Sequence, residues 1–127
     1  MEVSNRIIKF RAWNTKDKKM YHIDDKHLLI LVNKNGWSFG ESSWDWEIEN
    51  ETDETDGILM QYTGLTDADG KEIYEGDIVV EGYKGKYGTY EVKWNKIGFN
   101  LGSEDGRDYE VIGNIYEDSH LLERENK

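Results

Sequence analysis

Apolar and polar residues alternate in several short stretches of this chain, with Gly, Asn or Asp residues between them. The first alternating stretch is 6–13, and after a charged turn a second short stretch covers 20–23. Alternation with a period of two is typical of β-strands. The sequence therefore predicts an N-terminal hairpin over residues 6–23.

The middle of the chain has a weaker pattern. Residues 28–32 form a continuous apolar run, which fits either a buried strand or a segment of helix, and an Asn-Gly turn follows at 33–36. Acids, Thr and Asn dominate residues 49–57. Because a segment of low hydrophobicity and high charge has little apolar surface to bury, we expect 49–57 to be a mobile acidic loop.

The pattern becomes regular from residue 58 onward. Short alternating stretches are separated by Gly and Asp turns, and the Asp-Gly pair at 69–70 is the strongest hairpin signal. Gly113 predicts a bulge in the last strand. One or two helical turns, capped by Asp118 or Ser119, are expected at the end. Short strands at this spacing predict a small barrel of the SH3-like type.

The predicted fold class is mostly β: short antiparallel strands, a small SH3-like barrel in the C-terminal half, an N-terminal hairpin and a short C-terminal helical turn. The length of 127 residues fits a single domain over 1–127. Within it we expect a hairpin and an acidic, Trp-rich segment at 1–58 and the barrel at 59–127. No apolar run approaches the about 20 residues that cross a bilayer, so we expect no membrane association.

The charge is uneven along the chain. The formal net charge is −11, of which residues 1–36 carry +4, residues 37–58 carry −8 and residues 59–127 carry −7. Nucleic acid would be repelled by the total, and only the N-terminal third offers positive charge for phosphate contacts. There is no Cys, which excludes disulfides and thiolate chemistry and favours a reducing cytoplasm.

The candidate catalytic and metal-binding groups fit ordinary turns better. Placing Gly70 at the sixth position of a calcium loop puts Leu65 first and Gly76 twelfth, and neither can supply the required carboxylate. Glu75 and Asp77 would share one face of a strand, but such a pair beside a Gly is more typical of a turn. We therefore expect no catalytic residue, metal or cofactor.

Aromatic residues form the main candidate for a partner surface. Trp37, Trp44 and Trp46 lie beside or within the acidic segment. They could pack in a core, which is the usual place of Trp, or they could form a surface for a partner, because interface centres are rich in Trp and Tyr.

Basic residues near the N-terminus form a second candidate surface. Together with a small barrel and neighbouring aromatics, they could contact the phosphates of a nucleic acid. The residues are Arg6, Lys9, Arg11, Lys18 and Lys19, with Lys16 between them.

Three segments of the sequence resemble one family in their residues and in their order along the chain. They are RIIKFRAWNTKDKKMY at 6–21, LMQYTGLTDADGKEIYEGDIV at 59–79 and VIGNIYEDSHLL at 111–122. All three are similar to the YopX-like proteins of bacteriophages and prophages. The resemblance implies a largely β structure without an assigned activity, a bacterial cytoplasmic setting and a plausible homo-oligomer. It implies no catalytic or ligand residues.

These observations lead to one functional prediction with two alternatives. We expect a non-enzymatic phage or prophage accessory protein that acts through protein–protein contact, with copies of itself or with a host or phage protein. The first alternative is a nucleic-acid-binding module in phage replication or transcription. The second is that the acidic run 41–56 mimics the charge of DNA and occupies a host protein.

Overall fold

The computed structural model of this protein describes residues 8–22, 28–42, 48–53, 55–95, 98–102 and 105–125. Within these residues it contains twelve β-strands and one short α-helix. The chain divides into two units, an N-terminal unit of Lys9–Met60 and a C-terminal unit that contains Gln61–Lys127.

A β-hairpin opens the N-terminal unit. Strand β1 (Phe10–Asn14) pairs antiparallel with strand β2 (Lys19–His22). The Asn14 side chain stabilises the turn between them, because its Oδ1 accepts hydrogen bonds from the backbone N–H groups of Lys16 and Asp17 at 3.0 and 2.9 Å. The predicted hairpin is confirmed for the described part of 6–23.

Three further strands form an antiparallel sheet in the order β3-β4-β5. They are β3 (Leu28–Asn33), β4 (Gly36–Ser42) and β5 (Ile48–Asp53). The ambiguous apolar run at 28–32 is therefore a strand.

The prediction that 49–57 forms a mobile loop is wrong, because β5 includes residues 49–53. Strand β5 pairs with β4, placing Thr52 opposite Phe39 and Asp53 opposite Ser38. Backbone hydrogen bonds to a neighbouring strand hold this segment despite its acidic composition, since an antiparallel strand can leave its polar side chains in water.

Phe39 lies at the centre of the N-terminal unit. It is fully buried, and its ring contacts Tyr21 edge-on at 5.3 Å between centroids and stacks on Trp37 at 5.7 Å. Ala12 and Met60 are also buried. This unit therefore packs around one aromatic ring from β4 and small or flexible residues from β1 and from strand β6 (Gly57–Thr66).

The remaining elements belong to the C-terminal unit, except that the first residues of β6, up to Met60, belong to the N-terminal unit. They are β6 (Gly57–Thr66), β7 (Glu72–Tyr74), β8 (Asp77–Glu81), β9 (Thr89–Glu91), β10 (Trp94–Asn95), β11 (Gly98–Phe99), β12 (Tyr109–Asn114) and α1 (His120–Glu125). Strands β6 and β7 pair as the predicted hairpin around 69–70. Strands β12, β8 and β9 form a second sheet in that order, and β10 pairs with β11.

The core of the C-terminal unit is a closed cluster of buried residues. Ile73, Val79, Val92 and Tyr109 are each 0 or 1% exposed, and partly buried side chains such as Tyr90 pack around them. The sheets curl into a half-barrel around this cluster. The predicted fold class, mostly β with a small barrel in the C-terminal half and a short terminal helix, is confirmed.

The end of the chain shows why the bulge predicted at Gly113 occurs. The pairing of β12 with β8 shifts register between Val111 and Gly113. A Cβ on Gly113 would lie 2.6 Å from Oδ2 of Asp118, so only a glycine lets that carboxylate come close. Asp118 Oδ2 accepts from the backbone N–H of Asn114 at 3.2 Å, and its carbonyl accepts from Leu121 as α1 begins.

Residues 89–94, TYEVKW, alternate in polarity but do not form one continuous strand. Strand β9 ends at Glu91, but the backbone of Val92 still bonds to the start of β8 and the turn before it: its N–H donates to the carbonyl of Asp77 at 2.8 Å, and its carbonyl accepts from the N–H of Gly76 at 2.9 Å. Val92 thereby enters the core at 0% exposure.

Candidate interaction surfaces

The outer edge of the β3-β4-β5 sheet carries exposed apolar side chains. Leu31 is 40% exposed and Val32 is 76% exposed, although both lie within a strand. Trp37 is directly opposite Val32 on β4 and is half-buried. We call Leu31, Val32 and Trp37 the edge surface.

Strand geometry explains this exposure. Successive side chains of β3 point to opposite faces, so Ile30 lies beside the buried Phe39 while Leu31 lies opposite Ser38 on the other face. Val32 shares the face of Phe39 but lies near the end of the strand, next to the turn at 34–35. The apolar run of β3 therefore buries only part of its side chains within its own unit.

Only one of the three tryptophans predicted as a partner surface can be placed. Trp37 stacks on Phe39 and also borders the exposed Val32, so it belongs both to the core and to the edge surface. Trp44 and Trp46 lie outside the described residues. The predicted partner surface stays a prediction.

The residues of the predicted basic surface differ in their exposure. Arg11 is 5% exposed, and its Nε donates to the Sδ of Met60 at 3.4 Å. Its guanidinium is therefore placed inside the unit and not on a surface, because β1 turns this position inward. Lys9 is half-buried, and Arg6 lies outside the described residues.

Two lysines of that set do lie on the surface. Lys18 and Lys19 are exposed at the tip and the second strand of the hairpin. The Nζ of Lys19 lies 4.8 Å from the centre of the Tyr21 ring, a cation–π contact.

The buried carboxylate beside the Asp-Gly turn at 69–70 accepts hydrogen bonds from backbone N–H groups. Asp67 is 2% exposed, and its Oδ1 accepts from the N–H groups of Asp69 and Lys71 while its Oδ2 accepts from Val111, all at 2.9 Å. This is the ordinary turn that the sequence predicts for these acids. Within the described ranges, no group of three or more His, Asp or Glu residues is placed to hold a metal ion.

The Glu75–Asp77 pair has a similar structural role. Asp77 is buried, and its Oδ2 accepts from the backbone N–H of Tyr74 at 2.7 Å. Glu75 Oε1 accepts from the N–H of Gln61 at 3.2 Å. Both carboxylates therefore bond to the turn between β7 and β8 and to the neighbouring β6.

The connection between β8 and β9, residues 82–88, presents aromatic and basic side chains together. We call it the tyrosine–lysine loop. Tyr83 is 84% exposed and Tyr87 is 66% exposed, and each ring has the Nζ of its neighbouring lysine near it, at 5.4 Å for Lys84 and 5.6 Å for Lys86. The sequence analysis does not identify this arrangement. The alternation of Gly, Tyr and Lys in GYKGKYG was the available signal.

A groove of about 640 Å³ lies beside this loop. Its lining includes Tyr83 and Lys84 from the loop, Val80 and Ile112 from neighbouring strands, and Arg107. The guanidinium of Arg107 forms two hydrogen bonds to the carboxylate of Asp105, at 3.1 and 3.0 Å. The side-chain hydrogen bond from Arg107 holds the pKa of Asp105 below its usual range and raises the pKa of Arg107 itself.

Tyr90 has the most altered acidity among the described groups that show a shift. Burial raises the pKa of its hydroxyl well above the usual range, and hydrogen bonds with Tyr109 and Glu81 add to the effect. Its hydroxyl donates to Oε1 of Glu81 at 3.0 Å. Tyr90 of β9 thus bonds to Glu81 of β8 and packs edge-on against Tyr109 of β12, in the sheet that forms the wall of the half-barrel.

Within the part of the chain that the structure describes, no helix has the length and apolar character to span a membrane. No curated protein matches the sequence.

Two solved structures are similar to this chain over nearly all of its length. Protein EF1440 of Enterococcus faecalis is 29% identical, with a TM-score of 0.60 over 93% of this chain and 99% of that one. Protein YopX of Bacillus subtilis is 23% identical, with a TM-score of 0.62 over 90% of this chain and 97% of that one. A model of the YopX protein family matches residues 9–123, which is most of the sequence. The chain belongs to the YopX family.

Proposed function

We propose that this chain is a non-enzymatic accessory protein of a bacteriophage or prophage. In this proposal it works in the bacterial cytoplasm through protein–protein contact, first of all with further copies of itself. The observation that carries the proposal is the edge surface, an outer strand whose apolar side chains are exposed. The family membership and the resemblance of the three sequence pieces to phage proteins support the setting.

An outer strand presents unpaired backbone N–H and C=O groups, which readily pair with a strand of another chain. Many proteins block such an edge with Lys, Pro or a bulge, or keep it short. Strand β3 has six residues, LLILVN, without a charged residue or Pro among them. These features favour pairing of β3 with a partner strand.

A second copy of β3 fits this edge by symmetry. A two-fold axis perpendicular to the sheet pairs the strands antiparallel and keeps each side chain on its own face. The axis therefore passes between two copies of Ile30 or two copies of Leu31. In the second register Ile30 pairs with Val32 of the partner copy, so apolar side chains meet on both faces. Cross-strand apolar pairs of this kind each contribute about 0.2–1 kcal/mol.

Trp37 extends the contact beyond the backbone. It lies across from Val32, at the end of the sheet where the apolar edge is most exposed. Large aromatic residues at such positions dominate binding energies in many interfaces. A partner strand beside Val32 would cover part of this ring as well.

The non-enzymatic part of the proposal is supported by what the acidic groups already do. Asp67, Glu75 and Asp77 accept hydrogen bonds from backbone N–H groups. A carboxylate that fixes a turn in this way would have to break structural bonds to take up a proton from a substrate.

Size-exclusion chromatography with light scattering tests the proposal. We expect the wild-type chain to form a dimer or a larger assembly at tens of micromolar, and Val32→Lys to raise its dissociation constant about tenfold, because each copy places a charge at the shared edge. Leu31→Lys tests the other face of the strand.

The matched control is Thr55→Lys, which adds the same charge at an exposed turn of the same unit. It should leave the mass unchanged. A wild-type chain that remains monomeric at these concentrations would contradict self-association, and equal effects of Val32→Lys and Thr55→Lys would contradict the role of β3.

A further inference from the structure

The tyrosine–lysine loop has a defined conformation. The backbone N–H groups of Gly85 and Lys86 donate to the carbonyls of Gly82 and Tyr83 at 3.0 and 3.2 Å, and Tyr87 donates back to Glu81 at 2.9 Å. The N–H of Gly82 also donates to Asp108 at 2.8 Å, which ties the loop to the neighbouring turn. These bonds fix the backbone of the loop, and therefore the positions from which its side chains extend.

The Tyr87 ring rests on the loop's own backbone. Gly82 has φ +83°, and a Cβ there would lie 2.5 Å from Cδ2 of Tyr87. The missing side chain at Gly82 therefore leaves the space that the ring occupies. This packing holds Tyr87 at the surface, and Tyr83 next to the same glycine is even more exposed.

The loop has a net positive charge, although the protein as a whole is acidic. Residues 82–88 contain Lys84 and Lys86 and no acid, whereas the chain as a whole carries −11. Arg107 also lines the adjoining groove, but its charge is paired with the carboxylate of Asp105. Asp108 and Glu110 also line that groove, so the positive surface is short and ends beside them.

We propose that the tyrosine–lysine loop binds a short segment of single-stranded nucleic acid. Two bases stack on Tyr83 and Tyr87 in place of the lysine Nζ groups that lie 5.4 and 5.6 Å from these rings, and Lys84 and Lys86 turn to the phosphates. Proteins that bind single strands without sequence preference combine aromatic platforms with cations along the backbone, and any base can stack because each has a π-face. This site shares no residue with the edge surface or with the N-terminal lysines.

A single strand suits this surface better than a duplex. A duplex keeps its bases stacked on one another, so exposed tyrosines could reach only its phosphates, and a long rigid rod of negative charge would meet the many acids around the loop. A flexible strand can lay two nucleotides on the loop and direct the rest away. An acidic peptide would offer carboxylates to the lysines but no flat ring for the tyrosines.

Fluorescence anisotropy with a labelled 12-nucleotide oligo-dT at low salt tests the proposal. We expect saturable binding that Tyr83→Ala or Tyr87→Ala weakens roughly 5- to 100-fold, the range for loss of one stacked base. For Lys84→Ala combined with Lys86→Ala, we expect the slope of log affinity against log salt to become shallower by about 1.4, since each phosphate contact on a single strand contributes about 0.7.

Two control variants separate the loop from general surface effects. Trp94→Ala removes another exposed aromatic of the same unit, and Lys71→Ala removes an exposed cation at the turn before β7. Both should bind the oligonucleotide like the wild type. Circular dichroism of each variant checks that it is folded.

Three results would overturn the proposal. The first is a flat titration of the wild type with oligo-dT at low salt. The second is equal or tighter binding to a 12-base-pair duplex or to vesicles containing phosphatidylserine, which would assign the loop to another partner. The third is binding that Trp94→Ala and Lys71→Ala weaken as much as the loop variants do.

Discussion

The two units of this protein use their apolar residues in different ways. The C-terminal unit closes Ile73, Val79, Val92 and Tyr109 into one buried cluster. In the N-terminal unit a single aromatic ring, Phe39, occupies the centre, while the outer strand β3 leaves apolar side chains in water. The first arrangement buries its apolar side chains within one unit, and the second leaves some of them exposed.

The turns of the two units differ as well. In the C-terminal unit one buried carboxylate, Asp67, bonds to three backbone N–H groups and so connects the β6–β7 turn to β12. In the N-terminal hairpin Asn14 caps its own turn and also donates from Nδ2 to Thr52 of β5 at 3.1 Å. Polar side chains thus link distant elements in both units. The linking group is the carboxylate of Asp67 in the C-terminal unit and the amide of Asn14 in the N-terminal unit.

The largest effect is expected from removing the central ring of the N-terminal unit. Phe39→Ala should lower the free energy of unfolding by about 3–5 kcal/mol, because it leaves a cavity under Trp37 and Tyr21. Urea unfolding followed by Trp fluorescence measures this. Val32→Ala, on the same face but 76% exposed, should change stability by less than about 0.5 kcal/mol. A small loss for Phe39→Ala would show that this unit does not depend on one ring.

The next largest effect tests the turn of the C-terminal unit. Asp67→Ala should cost about 2–4 kcal/mol, since three backbone donors lose a charged acceptor in a buried place. Asp67→Asn should cost less, because it keeps one acceptor oxygen. Chemical denaturation of the variants measures both. The exposed Asp69 is the control, and Asp69→Ala should stay within about 0.5 kcal/mol. Equal losses at 67 and 69 would contradict the role assigned to the buried carboxylate.

A smaller effect separates two glycines of the C-terminal unit. Gly113→Ala should cost about 1–3 kcal/mol, because its Cβ would collide with Asp118 and displace the turn before α1. Gly102 has nothing within 4 Å of a Cβ, so Gly102→Ala should be neutral or slightly stabilising. Thermal unfolding of the two variants provides the comparison. A Gly113→Ala variant as stable as Gly102→Ala would mean that Asp118 can move away without loss.

The elements that the sequence predicts correctly depend on local chemistry. The N-terminal hairpin follows from alternation, and the bulge at Gly113 follows from a glycine inside a strand. The Asp-Gly turn at 69–70 has its own backbone preference. In each case the residues that decide the structure are neighbours in the sequence.

The features that the sequence does not predict depend on distant residues. Strand β5 is acidic and polar, and its order comes from pairing with β4 across the sheet. The burial of Arg11 depends on Met60, 49 positions further along. The tyrosine–lysine loop contains the right residue types, but its backbone is also held by a hydrogen bond from Gly82 to Asp108, 26 positions further along. No periodicity in the sequence encodes these contacts.

The smallest expected effect concerns the wall of the half-barrel in alkaline solution. Because burial and the hydrogen bonds with Tyr109 and Glu81 raise the pKa of Tyr90, the unfolded chain gives up this proton at lower pH than the folded chain. The contribution of Tyr90 to stability is therefore complete below about pH 10, the ordinary pKa of tyrosine, and declines as the pH rises above it.

Denaturant unfolding between roughly pH 9 and pH 11.5 measures this decline. Tyr90→Phe cannot ionise, so its stability should fall less steeply with pH than that of the wild type. Glu81→Gln should reduce the steepness by a smaller amount, because Glu81 contributes less than burial and less than Tyr109 to the raised pKa. If Tyr90→Phe and the wild type lose stability in parallel, the pKa of Tyr90 is not raised in the folded chain. Burial and hydrogen bonding of its hydroxyl would then be weaker than the structure indicates.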